Sequence, residues 1–122
     1  MVTKIMPLDS QKLTQIKEYC EEISGTFTRF GKPFEIFQTD LDCQYSVSFS
    51  ILQIGEFINH LSDEFRQTEG KSIPWDTITN IRNEIEHNYD AIDLNAVWRI
   101  ATIDIPALKV FCEEELRKAR ME

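Results

Sequence analysis
The stretch Arg82-Asn83-Glu84-Ile85-Glu86-His87-Asn88-Tyr89 places a permanently cationic guanidinium, an imidazole and a phenol on one short segment. Histidine is the side-chain type that takes up and releases protons near neutrality, and arginine holds a growing negative charge in a rigid fork of donors. Together they suit a reaction in which a proton moves while charge develops on an oxygen. The same spacing has a plainer use. Arg82 with Glu86 makes an i, i+4 ion pair on a solvated helix, His87 sits on the surface, and Tyr89 is a half-buried aromatic at a helix end.

The helix that must position these residues is expected from about Pro74 to Asn88. Pro74 suits the first helical position, and Asp76 suits the positive end of the helix dipole. At about 100° per residue, Ile78, Ile81 and Ile85 share one face and define the buried side. Arg82 and Tyr89 share a neighbouring edge, whereas His87, about 140° from Arg82, lies nearly opposite the isoleucines. His87 therefore faces water or another chain and not the core of its own bundle.

Three further helices are expected to surround it. Asp9 or Ser10 can cap a first helix that runs to about Phe30 with Leu13, Ile16, Cys20, Ile23, Phe27 and Phe30 in one stripe. Gly31-Lys32-Pro33 stops it, and Phe34 to Thr39 reads as a short helical turn over the end of the bundle. A second long helix, Asp42 to Gln67, turns Val47, Ile51, Ile54, Ile58, Leu61 and Phe65 inward. It also carries a second stripe, Tyr45, Phe49, Leu52 and then Glu56, more apolar surface than one seam uses. Its second neighbour is either another helix of the chain or a second protomer. Gly55 within this helix costs about 1 kcal/mol relative to Ala, which points to close approach of another backbone. A last helix starts after Asp93 as its cap, turns Leu94, Val97, Ala101, Ile105, Leu108 and Phe111 inward, and is bent or interrupted at Pro106. The fold class is all-α: an antiparallel four-helix bundle with a short extra helix, as one domain over residues 1–122.

Composition narrows the function. The chain has 122 residues, 42% of them hydrophobic, with 4 Gly and 4 Pro, which excludes disordered and linker-rich classes. No apolar run reaches the roughly 20 residues of a membrane span, and Met1 to Pro7 lacks the apolar core of a signal peptide. A cytoplasmic protein with no membrane contact is expected. Cys20, Cys43 and Cys112 are far apart and lack metal-ligand spacing, so buried reduced thiols are expected and no metal or cofactor. His60 has no spacing to other ligands and is expected at the surface or the core edge. The net charge of −8 argues against nucleic-acid binding by bulk electrostatics, so any such contact has to be local.

Arg82, four residues, His87, one residue and Tyr89 resemble the signature of the HEPN superfamily, specifically its HepT-like toxin branch. Ile54-Gly55-Glu56, Ile73-Pro74-Trp75, Arg82-Asn83, and Leu94-Asn95-Ala96-Val97-Trp98 followed by Ile105-Pro106 are likewise similar to HepT-like sequences. The acidic spacers Glu84 and Glu86 are less usual there. The resemblance implies a metal-independent endoribonuclease toxin of a toxin–antitoxin pair, acting as a two-fold homodimer whose motifs meet in one cleft. It implies Arg82 and His87 as the catalytic residues, Asn83 and Tyr89 as orienting or substrate-binding residues, and Glu56 as a secondary candidate. It also marks Tyr89 for O-adenylylation by an MNT-type nucleotidyltransferase antitoxin. The partners implied are a second protomer, that antitoxin and an RNA substrate. The alternative is a non-catalytic HEPN partner that binds nucleotide or docks a nucleotidyltransferase.

Overall fold
The computed structural model describes residues 7–31 and 33–121, and its α-helices follow in order as α1 (Pro7–Phe30), α2 (Phe34–Thr39), α3 (Leu41–Asn59), α4 (Asp63–Thr68), α5 (Trp75–His87), α6 (Leu94–Arg99) and α7 (Ile105–Met121). A 3-10 turn, Tyr89–Ala91, separates α5 from α6, and a π-helical turn, Ile100–Asp104, joins α6 to α7. There is no strand among the described residues. Met1 to Met6 of the N-terminal stretch without a signal-peptide core, and Lys32 of the helix-stopping tripeptide, lie outside the described residues.

Neighbouring long helices run antiparallel, as the partners along each seam show. Between α1 and α3, Asp9 meets Ser62 just beyond α3, Tyr19 stacks on Phe57, and Thr26 meets Ser46. Between α3 and α5, Arg82 meets Glu56 while Tyr89 packs on Tyr45. The inward stripes fill one core in which Leu13, Ile16, Val47, Ile51, Ile54, Ile58, Ile78, Val97 and Leu108 are wholly buried. Burying each such side chain contributes about 1.5–3 kcal/mol, which is why these positions and not local propensity fix the helix faces. At one end Phe27 and Phe37 close on Trp98, the covering role expected of the short α2. Gly31, at φ 76, turns the chain out of α1 in the left-handed conformation that lacks a steric penalty only for glycine.

The structure corrects four local expectations. The second long helix does not continue to Gln67 but ends at Asn59, and α4 starts a new turn at Asp63. The hydroxyl of Ser62 accepts from the Phe65 backbone N–H, so this serine caps α4 instead of sitting within one long helix. Asp9 is the second correction. It is buried in the first turn of α1, and its carboxylate accepts from the backbone N–H and the hydroxyl of Ser62 at 2.9 and 2.8 Å. It therefore anchors the α3–α4 corner across the bundle. Pro74 is the third: it stands in the cap position, and α5 begins at Trp75. The fourth concerns Pro106. Having no N–H and clashing with the carbonyl four residues back, it widens the preceding turn into a π turn. The flanking Arg99 and Ile105 keep α-helical backbone angles, so α6 and α7 form one continuous rod. Asp93 caps that rod as expected, accepting from the N–H groups of Asn95 and Ala96.

Candidate functional site
Arg82 emerges from α5 directly against α3, and Gly55 is what lets it through. A Cβ at Gly55 would lie 2.5 Å from Cγ and 2.6 Å from Cβ of Arg82. The close approach inferred from this glycine is thus made by a side-chain stem, not by a second backbone. The guanidinium is held by carboxylates on both sides. Nη2 donates to Glu56 Oε2 at 2.7 Å, and Nη1 donates to Glu86 Oε2 at 2.7 Å and to Asn83 Oδ1 at 3.0 Å. With its side chain only 15% exposed, Arg82 is fixed in place, whereas Glu56 and Glu86 are 45% and 41% exposed.

His87 ends α5 and is 72% exposed, as the helix geometry required. Its Nε2 lies 3.1 Å from the same Glu86 oxygen that accepts from Arg82. One carboxylate oxygen therefore joins the two residues expected to do the chemistry, although they sit about 140° apart on the helix. Sequence reasoning named Glu86 only as an ordinary i, i+4 partner of Arg82, and missed its contact with His87. The available signal was its place beside His87 in the last helical turn.

Tyr89 departs from the expected edge of α5. The helix stops at His87, Asn88 takes φ −150 and ψ 43, and Tyr89 opens the 3-10 turn. Its ring is half-buried, packed 5.8 Å from the Tyr45 ring on the outer face of α3. Its hydroxyl is buried without a hydrogen-bond partner among the described residues. Along α3, Tyr45 and Glu56 are about 16 Å apart, so Tyr89 marks one end of a strip whose other end is Arg82. Between them on α3, Tyr45 and Phe49 are 52% and 54% exposed, and Leu41 beyond them is 57% exposed. His60, at the surface as expected, lies 3.9 Å from Glu56 at the far rim.

The cysteines stand apart from this strip. All are buried, and burial pushes the Cys20 thiol up to about 12 and raises Cys43 and Cys112 as well. An apolar hollow of about 420 Å³ lies between α1 and the α6–α7 rod, with Cys20, Phe27, Trp98 and Lys109 in its walls, and excludes the Arg82–His87 cluster. Among the described residues, no three His, Cys, Asp or Glu side chains converge so as to hold a metal ion. No described helix is long and apolar enough to cross a membrane.

An all-helical bundle with an arginine and a histidine joined at the end of one helix is the class that fold and cluster define. Residues 13–115 match the family described as Ribonuclease HepT-like, and the chain belongs to that family. It is 30% identical over 99 residues to a protein of Thermococcus cleftensis named Probable ribonuclease HepT, a match spanning 76% of this chain and 88% of that one. It is also 30% identical over 90 residues to a provisionally named RNase of Caldanaerobacter subterraneus subsp. tengcongensis, spanning 74% of this chain and 80% of that one. A provisionally named RNase of Methanocaldococcus jannaschii is 28% identical over 97 residues, with 80% and 78% covered. No solved structure matches the chain at a comparable level.

Proposed function
We propose that the protein is an endoribonuclease that cuts RNA at a site built from Arg82 and His87 of two protomers. The observation that carries this reading is the shared Glu86 oxygen, which lies 2.7 Å from an Arg82 nitrogen and 3.1 Å from a His87 nitrogen. A point about 3 Å from both an anion binder and a proton carrier is where a reacting phosphate oxygen would sit. The family and the relatives named for ribonuclease activity support the same substrate.

The chemistry follows from the side chains. The 2′-hydroxyl of RNA attacks its own phosphorus; one His87 takes the hydroxyl proton, the bond from phosphorus to the 5′ oxygen breaks, and a second His87 protonates that oxygen. Arg82 stabilises the negative charge of the phosphorane between the two bond changes. Asn83 steadies the guanidinium through its side-chain oxygen. No step requires a metal. A second protomer is supported by the exposed row Leu41, Tyr45 and Phe49, which runs along the same face as the site and offers apolar area for a two-fold contact.

In a toxin–antitoxin setting, adenylylation of Tyr89 by a nucleotidyltransferase antitoxin would silence this strip with added bulk and negative charge. The buried hydroxyl must first turn outward, and the absence of a hydrogen-bond partner among the described residues makes that movement cheaper. Products carrying a 5′-hydroxyl end, and failure to cut RNA in which every 2′-hydroxyl is replaced by hydrogen, are the expected results for the ribonuclease reaction. Equal cutting of the deoxy-substituted strand would overturn the mechanism.

A further inference from the structure
We infer that Glu86 is a built-in stand-in for the RNA phosphate, and that displacing its carboxylate is the step that sets how tightly the site takes RNA. The inference rests on the reading of Arg82 and His87 as the phosphate-handling pair. Glu86 Oε2 occupies the point shared by Arg82 Nη1 and His87 Nε2, at 2.7 and 3.1 Å. A phosphate oxygen that engages both groups needs that same point, and two anions cannot hold it together.

Charge and position separate Glu86 from a helix-stabilising residue. With Glu56 on Nη2 and Glu86 on Nη1, one guanidinium faces two carboxylates, so its charge is already matched before RNA arrives. Glu86 also lies in the last turn of α5, where the helix dipole disfavours a carboxylate and a base would be the stabilising choice. Glu56 differs in reaching Arg82 from the neighbouring helix, on the other guanidinium nitrogen, and its ion pairs are with Arg82 and His60, so it can stay in place as the clamp that aims the guanidinium. Glu86 is half-exposed on the open side, with a short path to water when phosphate replaces it.

The test is binding of a fluorescein-labelled 12-nucleotide 2′-O-methyl RNA, which lacks the attacking hydroxyl and so stays intact with His87 present, followed by anisotropy. Glu86→Gln and Glu86→Ala should each bind it roughly three- to tenfold more tightly than the parent, the size of one relieved charge contact. On cleavable RNA, the fall in KM should exceed any change in kcat. Unchanged or weaker binding by both variants overturns the inference, because a residue that merely positions His87 would lose affinity when removed. Arg82→Ala provides the separate arm. If it binds the probe as well as the parent does, the assignment of Arg82 to phosphate fails and this inference falls with it; if Arg82→Ala weakens binding while the Glu86 variants do not tighten it, only the stand-in role is lost.

Discussion

Gly55 and Arg82 form a matched pair: the first has no side chain so that the second can lie across α3 and reach Glu56. Alanine at Gly55 would gain about 1 kcal/mol of helix propensity, yet its Cβ would lie 2.5 Å from Arg82 Cγ. Overpacking of that kind costs about 1–3 kcal/mol, so we expect Gly55→Ala to lower the urea midpoint and to reduce RNA cleavage as Arg82 is pushed aside. A higher midpoint with full activity would show that the crossing is loose. At this scale the sequence was informative about direction and poor at contacts. Helical spacing alone placed His87 away from the core, because three isoleucines at 78, 81 and 85 fix the buried side. It did not reveal that Glu86 serves Arg82 and His87 together, since that depends on where the helix ends and on rotamers that no periodicity encodes. Tyr89 was misplaced for the same reason: two residues past the end of α5, a helical wheel no longer applies.

The elements were legible wherever burial speaks through a repeat, and less so where a single polar contact decides. Every residue of the predicted α3 core stripe, through Leu61 and Phe65, is buried, even though the helix breaks between Asn59 and Asp63. The break depends on Asp9, a residue 53 positions from Ser62, and a local pattern cannot show such a pairing. Asp9→Ala removes a buried carboxylate that accepts two hydrogen bonds, and we expect a loss of about 1.5–3 kcal/mol in chemical denaturation. A loss under a few tenths would mean that the corner holds by its apolar contacts alone. The seam between α1 and α7 carries a different signature. Cys20 keeps its proton until about pH 12 in the folded chain, against an ordinary value of 9.0. The folded state therefore binds more protons than the unfolded state at alkaline pH, and stability falls as pH rises. The stabilisation is fully present below the ordinary thiol value and is lost as pH climbs from about 9 toward 12. Denaturant midpoints measured from pH 8 to 11 should decline across that window, and Cys20→Ala should make the decline shallower, with the raised Cys43 and Cys112 thiols keeping the remainder, while lowering the midpoint at pH 8.

For the whole molecule, the unresolved burden is the outer face of α3. Tyr45 and Phe49 are more than half exposed beside a cluster of charged residues, and a lone copy of the chain leaves that apolar row in water. The repeat of Tyr45, Phe49 and Leu52 made the row visible from sequence; in the fold Tyr89 packs on Tyr45 and Tyr19 on Phe49, and Tyr45 and Phe49 both stay more than half exposed. No element of the described chain covers Tyr45 or Phe49 fully. We expect Phe49→Glu to leave the helical content intact, to shift the protein from dimer to monomer in light scattering, and to abolish cleavage. A parent protein that is monomeric at micromolar concentration would remove the two-protomer site.

The net charge of −8 makes the site local, because the molecule as a whole repels RNA. Cleavage is assigned to the small cluster around Arg82 and His87, where a guanidinium and an imidazole share one carboxylate oxygen. The most direct measurement is the single-turnover cleavage rate of a single-stranded RNA by purified protein and by His87→Ala, both in excess chelator and both with matching circular dichroism. Loss of a group that moves protons slows such reactions by about 10²–10⁴-fold, so the variant should fall by at least about 10² while the parent keeps its rate in chelator. Equal rates for parent and variant would contradict the account at its centre.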